Sequence, residues 1–161
     1  MARGWRWLPV AVLVILADQL SKAWIAGHFA VGEIRTVLPV LDITLRFNTG
    51  AAFSMLAQAS GWQKWLFSGL AAAISLGILV WLYRIDARRQ RLQALALTLV
   101  LAGAVGNLID RLRLGHVIDF VSVHWKNVYY FPAFNVADSA ITVGAILWLL
   151  DAWIVGLKRS Q

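Results

Sequence analysis

The sequence predicts a membrane all-α bundle, with four transmembrane helices carrying a small β-sheet and an interfacial helix on one side. Three observations lead there. The chain is 60% hydrophobic and 14% charged, far more apolar than an ordinary soluble domain. Four stretches reach the roughly 20 apolar residues that a bilayer crossing needs. The basic residues gather at one set of their ends. Residues 1–161 suit a single integral membrane domain.

The first span is expected over residues 7–27. It follows a basic start, Arg3 and Arg6, as the core of a signal peptide does. No small-x-small site follows the apolar core cleanly, and the apolar pattern resumes after Asp18 and Lys22, so a retained helix explains more. Asp18 and Lys22 stand four apart and share a face. An unpaired charge in lipid is expensive, so the two are expected to pair, point into the bundle and support it.

The stretch "LDITLRF" alternates Ile43, Leu45 and Phe47 with Asp42, Thr44 and Arg46, which is a strand pattern. In "RFNTGAAFS", Asn48 and Gly50 read either as a turn or as a polar side chain and bare backbone offered to a peptide. "AAFSMLAQASGWQKW" reads as an interfacial helix, with Phe53 and Leu56 on one face. Trp62 then anchors the second span, residues 62–83.

The third span is expected over residues 92–112 and ends in "GAVGNLIDRLRLG". Gly103, Ala104 and Gly106 permit close helix approach. Asn107 and Arg111 share a face, with Asp110 on an adjacent one. Arg111 either binds a carbonyl or carboxylate or extends to the interface. "HVIDFVSV" is rich in β-branched residues and reads as a second strand, able to pair with the first on the membrane surface. The fourth span, residues 137–157, opens within "FNVADSAITVGAILWLL".

The chain has eight acidic residues, and two of them, Asp119 and Asp138, stand against lipid-like sequence. Two close carboxylates cannot both ionise cheaply. One keeps a proton while the other acts as base on a water, a chemistry that hydrolyses amides without a metal. Asn135 as N-cap with Asp138 in the first turn also suits the helix dipole, and the two readings are compatible. Asp119 reads otherwise as a solvated loop acid, but its neighbours Ile118, Phe120 and Val121 are apolar.

The absence of Cys excludes disulfides, thiol catalysis and thiolate metal sites. The net charge of +7 lies at span ends, which fits anionic head groups rather than nucleic acid. His116 and His124 lack a third ligand, so no metal or cofactor is expected. Ser21–Lys22 and Ser139 raise a Ser–Lys hydrolase more weakly. A small proton-coupled transporter is the alternative function, although transporters place such groups on broken helices near the midplane. Arg3, Arg6, the link "RIDARRQR", Lys158 and Arg159 put eight basic residues on one side. That asymmetry predicts cytoplasmic termini, with Asp119 and Asp138 at the outer face.

"DQLSK", "FNTGAAFS", "GNLIDRLRLGHVIDF" and "FNVADSAI" follow one another in this order around the four spans. Over nearly its whole length the chain resembles the bacterial lipoprotein signal peptidases, the signal peptidase II family. The resemblance implies a multi-pass intramembrane aspartyl endopeptidase of the bacterial cytoplasmic membrane, with its active site near the periplasmic face. Its expected substrate is a diacylglyceryl-prolipoprotein, cut just before the lipid-modified Cys. Asp119 and Asp138 match the catalytic positions. Asp18, Lys22, Asn48, Gly50, Asn107, Arg111, Asn135 and Ala137 match positions that bind substrate or support the site. The other expected partners are membrane phospholipids, with no nucleic acid and the chain acting as a monomer.

Overall fold

The computed structural model describes residues 3–49, 62–125 and 128–159. A short 3-10 turn, Gly4–Trp7, leads into helix α1, Leu8–His28. Strands β1, Ile34–Leu38, and β2, Leu41–Asn48, follow. Helices α2, Trp62–Arg84, and α3, Arg91–Leu114, come next. Strands β3, Val117–Trp125, and β4, Tyr129–Tyr130, precede helix α4, Val136–Arg159. All four α-helices are long and apolar enough to cross a membrane, close to the expected spans. Pro9 sits at the start of α1, where its missing N–H breaks no helical bond. Gly115 ends α3 in the left-handed conformation, φ 84°, and turns the chain at once into β3.

Helix α3 packs against each of the other three helices. Its glycines explain how. A Cβ on Gly103 would collide with the Ala137 carbonyl and the Ile141 side chain of α4. A Cβ on Gly106 would stand 2.8 Å from an Asp18 carboxylate oxygen. Gly144 of α4, which the sequence reading passed over, lies equally tight against the Ala96 carbonyl. In lipid, helices associate through such small-residue contacts, because apolar side chains gain little by leaving an apolar solvent. At the opposite end an apolar cluster that includes Leu82, Ile85, Leu97 and Leu101 holds α2 to α3. Leu13, Leu20, Trp65 and Leu149 remain exposed, as lipid-facing residues do.

The strands form one antiparallel sheet in the order β1-β2-β3-β4. The two predicted strands are its central pair, registered with Arg46 opposite Asp119 and Phe47 opposite Ile118. The edge strands were not legible: β1 is exposed at every position and β4 has two residues. The alternation in β2 does not sort inside from outside. Asp42 and Thr44 are buried while Phe47 is exposed. A register shift between Ile43 and Arg46 exchanges the two faces partway along the strand. The predicted interfacial helix up to residue 61, and Gly50, lie outside the described residues. The described chain resumes at Trp62, which opens α2.

Candidate active site

Strand β3, the start of α4 and the segment just before it meet at one end of the spans, and each delivers an acid or its holder. Strand β3 carries Asp119, which is 3% exposed. The first turn of α4 carries Asp138, half-buried. Asn135, just before α4, joins the two. Its Nδ2 donates to Asp119 Oδ1 at 2.8 Å. Its Oδ1 accepts from the Asp138 backbone N–H at 2.9 Å, and its own N–H donates to Asp138 Oδ2 at 3.2 Å. This reciprocal cap satisfies two N–H groups at the start of α4 and fixes Asp138 in the same step.

Each carboxylate accepts a second amide. Asn48 Nδ2 donates to Asp119 Oδ2 at 2.9 Å, and Asn107 Nδ2 donates to Asp138 Oδ1 at 2.8 Å. Asn48 and Asn107, expected to hold substrate oxygens, thus already hold the two acids. Burial pushes the Asp119 carboxyl up to about 6, and the nearby Asp138 charge adds to the rise. The Asn48 and Asn135 amides oppose it, as does the more distant Lys22 charge. A buried pair held by neutral amides can share one proton near neutral pH, one group donating while the other accepts.

Behind the pair lies a second cluster. Lys22 Nζ meets Asp18 Oδ2 at 2.8 Å, as the spacing predicted, and also Asp110 Oδ2 at 2.9 Å. All three side chains are almost wholly buried. Lys22 further donates to Asn107 Oδ1 at 3.1 Å, which connects the two clusters through one amide. Asp18 Oδ1 accepts the Ala137 N–H at 2.9 Å, so an acid on α1 caps α4 from 119 residues away.

Asp110 and Gln19 belong to this cluster, though the sequence reading gave Asp110 no partner and Gln19 no role. Gln19 Nε2 donates to Asp110 Oδ1 at 2.8 Å, and Asp110 Oδ2 accepts the Ile118 N–H at 3.2 Å. Spacing held a signal: Gln19 lies three residues before Lys22, and Asp110 three after Asn107, close enough along the helix for neighbouring faces to meet one partner. Lys22, ion-paired twice, offers no free base to a serine. Ser21 and Ser139 spend their hydroxyls on backbone carbonyls of their own helices.

Ala137 is fully buried, and its methyl lies against Gly106 at the α3–α4 contact. Arg111 lies over the Phe67 ring at 5.7 Å, and its Nη1 reaches the Asn107 carbonyl at only 3.5 Å. Its Nε has no hydrogen bond among the described residues. The chain at the other end of the sheet pairs His124 with Asp42 at 3.4 Å, both buried. That pair had no sequence signal, because 81 residues lie between its members.

Residues 10–154 match the family described as signal peptidase (SPase) II. A lipoprotein signal peptidase of Pseudomonas fluorescens strain Pf-5 is 55% identical over 149 residues, covering 92% of this chain and 86% of the relative. One from Pseudomonas aeruginosa strain PAO1 is 53% identical over 146 residues, covering 90% and 86%. In three dimensions the chain superposes on a bacterial membrane enzyme solved in meso at 2.3 Å resolution, with a TM-score of 0.80. That pair is 33% identical and covers 94% of this chain and 89% of the other. Nothing here favours the transporter alternative. Agreement over sequence and fold alike, across all four spans and the sheet between them, makes this chain a peptidase of the bacterial membrane and a member of the signal peptidase II family.

Proposed function

We propose that this peptidase is an aspartyl endopeptidase that removes signal peptides from diacylglyceryl-modified prolipoproteins, cutting before the lipidated Cys. The relatives named above carry the lipoprotein part of the reading. The aspartyl part rests on one observation: a single residue, Asn135, holds both acids, its side-chain amide donating to Asp119 and its backbone N–H to the Asp138 carboxylate. The ionised member of the pair takes a proton from a water, whose oxygen adds to the scissile carbonyl carbon. The protonated member gives its proton to the carbonyl oxygen. When the tetrahedral intermediate collapses, the C–N bond breaks, the lipidated Cys leaves as an amine with the proton first drawn from water, and a hydroxyl of the intermediate returns its proton to the carboxylate that had given one up. Arg111 and the segment with Gly50 hold substrate backbone or head-group oxygens. Asp18, Lys22, Asn107 and Ala137 fix the helices that carry the pair.

The geometry of a membrane substrate sets the orientation. A lipidated Cys lies just outside the signal peptide's apolar segment, at head-group depth. Both acids lie at the ends of spans opposite the eight basic flanking residues. The termini are then cytoplasmic and the pair periplasmic, with the chain acting as a monomer among phospholipids.

Detergent-purified protein, incubated with lipidated and unlipidated precursor in the presence of chelator, tests the reading. Cleavage of the lipidated precursor alone is expected. Cleavage of both, or loss of activity to the chelator, overturns it. Single Cys residues placed at Ser60 and Lys126 should react with an impermeant thiol reagent in intact spheroplasts; protection at both sites would put the pair in the cytoplasm.

A further inference from the structure

A concavity lies against the Lys22 cluster. It measures about 330 Å³, and neither Asp119 nor Asp138 lines it. Ala23 and Ala26 of α1 and Leu114 of α3 form apolar walls. Arg113 and His116 supply the polar side. Lys22 and Asp110 form the floor, but the Lys22 ammonium is already shared between Asp110 at 2.9 Å and Asp18 at 2.8 Å and is not free for a ligand.

Arg113 is exposed, and neither it nor His116 makes an ion pair or hydrogen bond among the described residues. The His116 ring is set by Phe47, whose ring lies 4.1 Å away between centroids. An unpaired guanidinium and a positioned imidazole beside an apolar cleft ask for an anion attached to something apolar. The place agrees. The cleft opens at the ends of α1 and α3, where a spanning helix meets the head groups. Leu16 and Leu20 lie one turn or so before Ala23 on α1 and are exposed by 50% and 68%. They continue the cleft toward the middle of the bilayer as an apolar track.

We propose that this cleft is a phospholipid site: Arg113 and His116 bind the phosphodiester, and the acyl chains follow Ala23, Leu20 and Leu16. It is separate from the peptidase reading, because it uses neither acid of the pair and calls for no reaction.

The full chain in uncharged detergent, titrated with dihexanoyl-phosphatidylglycerol below its micelle concentration, tests it by thermal midpoint. The wild type should show a saturable rise. Arg113→Gln should weaken the half-saturating concentration about tenfold, the loss expected of one charge-assisted contact. Ala26→Phe, which fills the cleft, should abolish saturation while leaving the lipid-free midpoint in place. If Ala26→Phe lowers that midpoint, Arg113→Gln alone decides. Equal responses from dihexanoylglycerol would show that the phosphodiester is not read. Equal responses from inorganic phosphate would show a free-anion site. Either result, or unchanged saturation in Arg113→Gln, overturns the proposal.

Discussion

Two clusters of buried acids sit side by side in this protein, joined by Asn107, and they are neutralised differently. Asp18 and Asp110 share the ammonium of Lys22 at 2.8 and 2.9 Å. Asp119 and Asp138 are held by neutral groups: the side-chain amides of Asn48, Asn107 and Asn135 and the Asn135 backbone N–H. A fixed cation pins its acids in place, which suits a scaffold. Amides orient an acid without cancelling its charge, so the proton stays free to move. On the proposed reading, the first cluster supports the site and the second carries its chemistry.

The largest expected effect falls on the amide-held pair. Asp119→Asn and Asp138→Asn should each cut cleavage of lipidated precursor by at least about 10²–10⁴-fold while the protein still inserts and folds. An amide at either position keeps the shape but cannot take a proton from water. A single variant within about tenfold of wild type would end the proposed chemistry.

Next comes the cation. Lys22→Met leaves Asp18 and Asp110 without their cation and with only the Gln19 amide between them, a loss of about 3–5 kcal/mol by the measure of broken buried ion pairs. The thermal midpoint in detergent should fall together with activity. Adding Asp110→Asn should restore part of the midpoint by removing one stranded charge. Unchanged stability with lowered turnover would move Lys22 from scaffold to chemistry.

The acids should also differ in their response to pH. Asp119 titrates at about 6 in the folded protein, against 3.8 for a free side chain, because burial disfavours its charge. The folded chain therefore binds this proton more tightly than the unfolded chain. That contribution is fully present below about 3.8 and is lost as pH rises through about 6. It amounts to no more than about 3 kcal/mol. Wild type should thus lose midpoint relative to Asp119→Asn as pH is raised from 4 to 7. A constant difference across that range would place the titration elsewhere.

The smallest effect tests one holder. Asn48→Ala removes a donor that stabilises the Asp119 anion, so the acid limb of the pH–rate profile should move upward. Loss of one such hydrogen bond is worth about 1 kcal/mol, or roughly fivefold in rate on the acid side of the limb and under about twofold at neutral pH. A lower rate with an unmoved limb would give Asn48 a substrate contact instead.

The sequence by itself determined the four spans, the central strand pair, the Asp18–Lys22 contact and the place of Asn135 before α4. Each is a local property: length of an apolar run, a period of two, a spacing of four, a cap before a helix. It could not say which span lies inside. Helices α3 and α4 are almost equally apolar, yet 56% of the most apolar window of α3 is buried against 11% of that of α4. Lipid offers no contrast between inner and outer apolar faces, so hydropathy is silent, and Gly103, Gly106 and the polar side chains of α3 decide. Only the tertiary structure brought Asp110 and Gln19 to Lys22, set Asp42 against His124, and turned Asn48 and Asn107 toward the acids. Those partners come from different elements, and a buried charge takes whichever group the packing of small residues brings within reach.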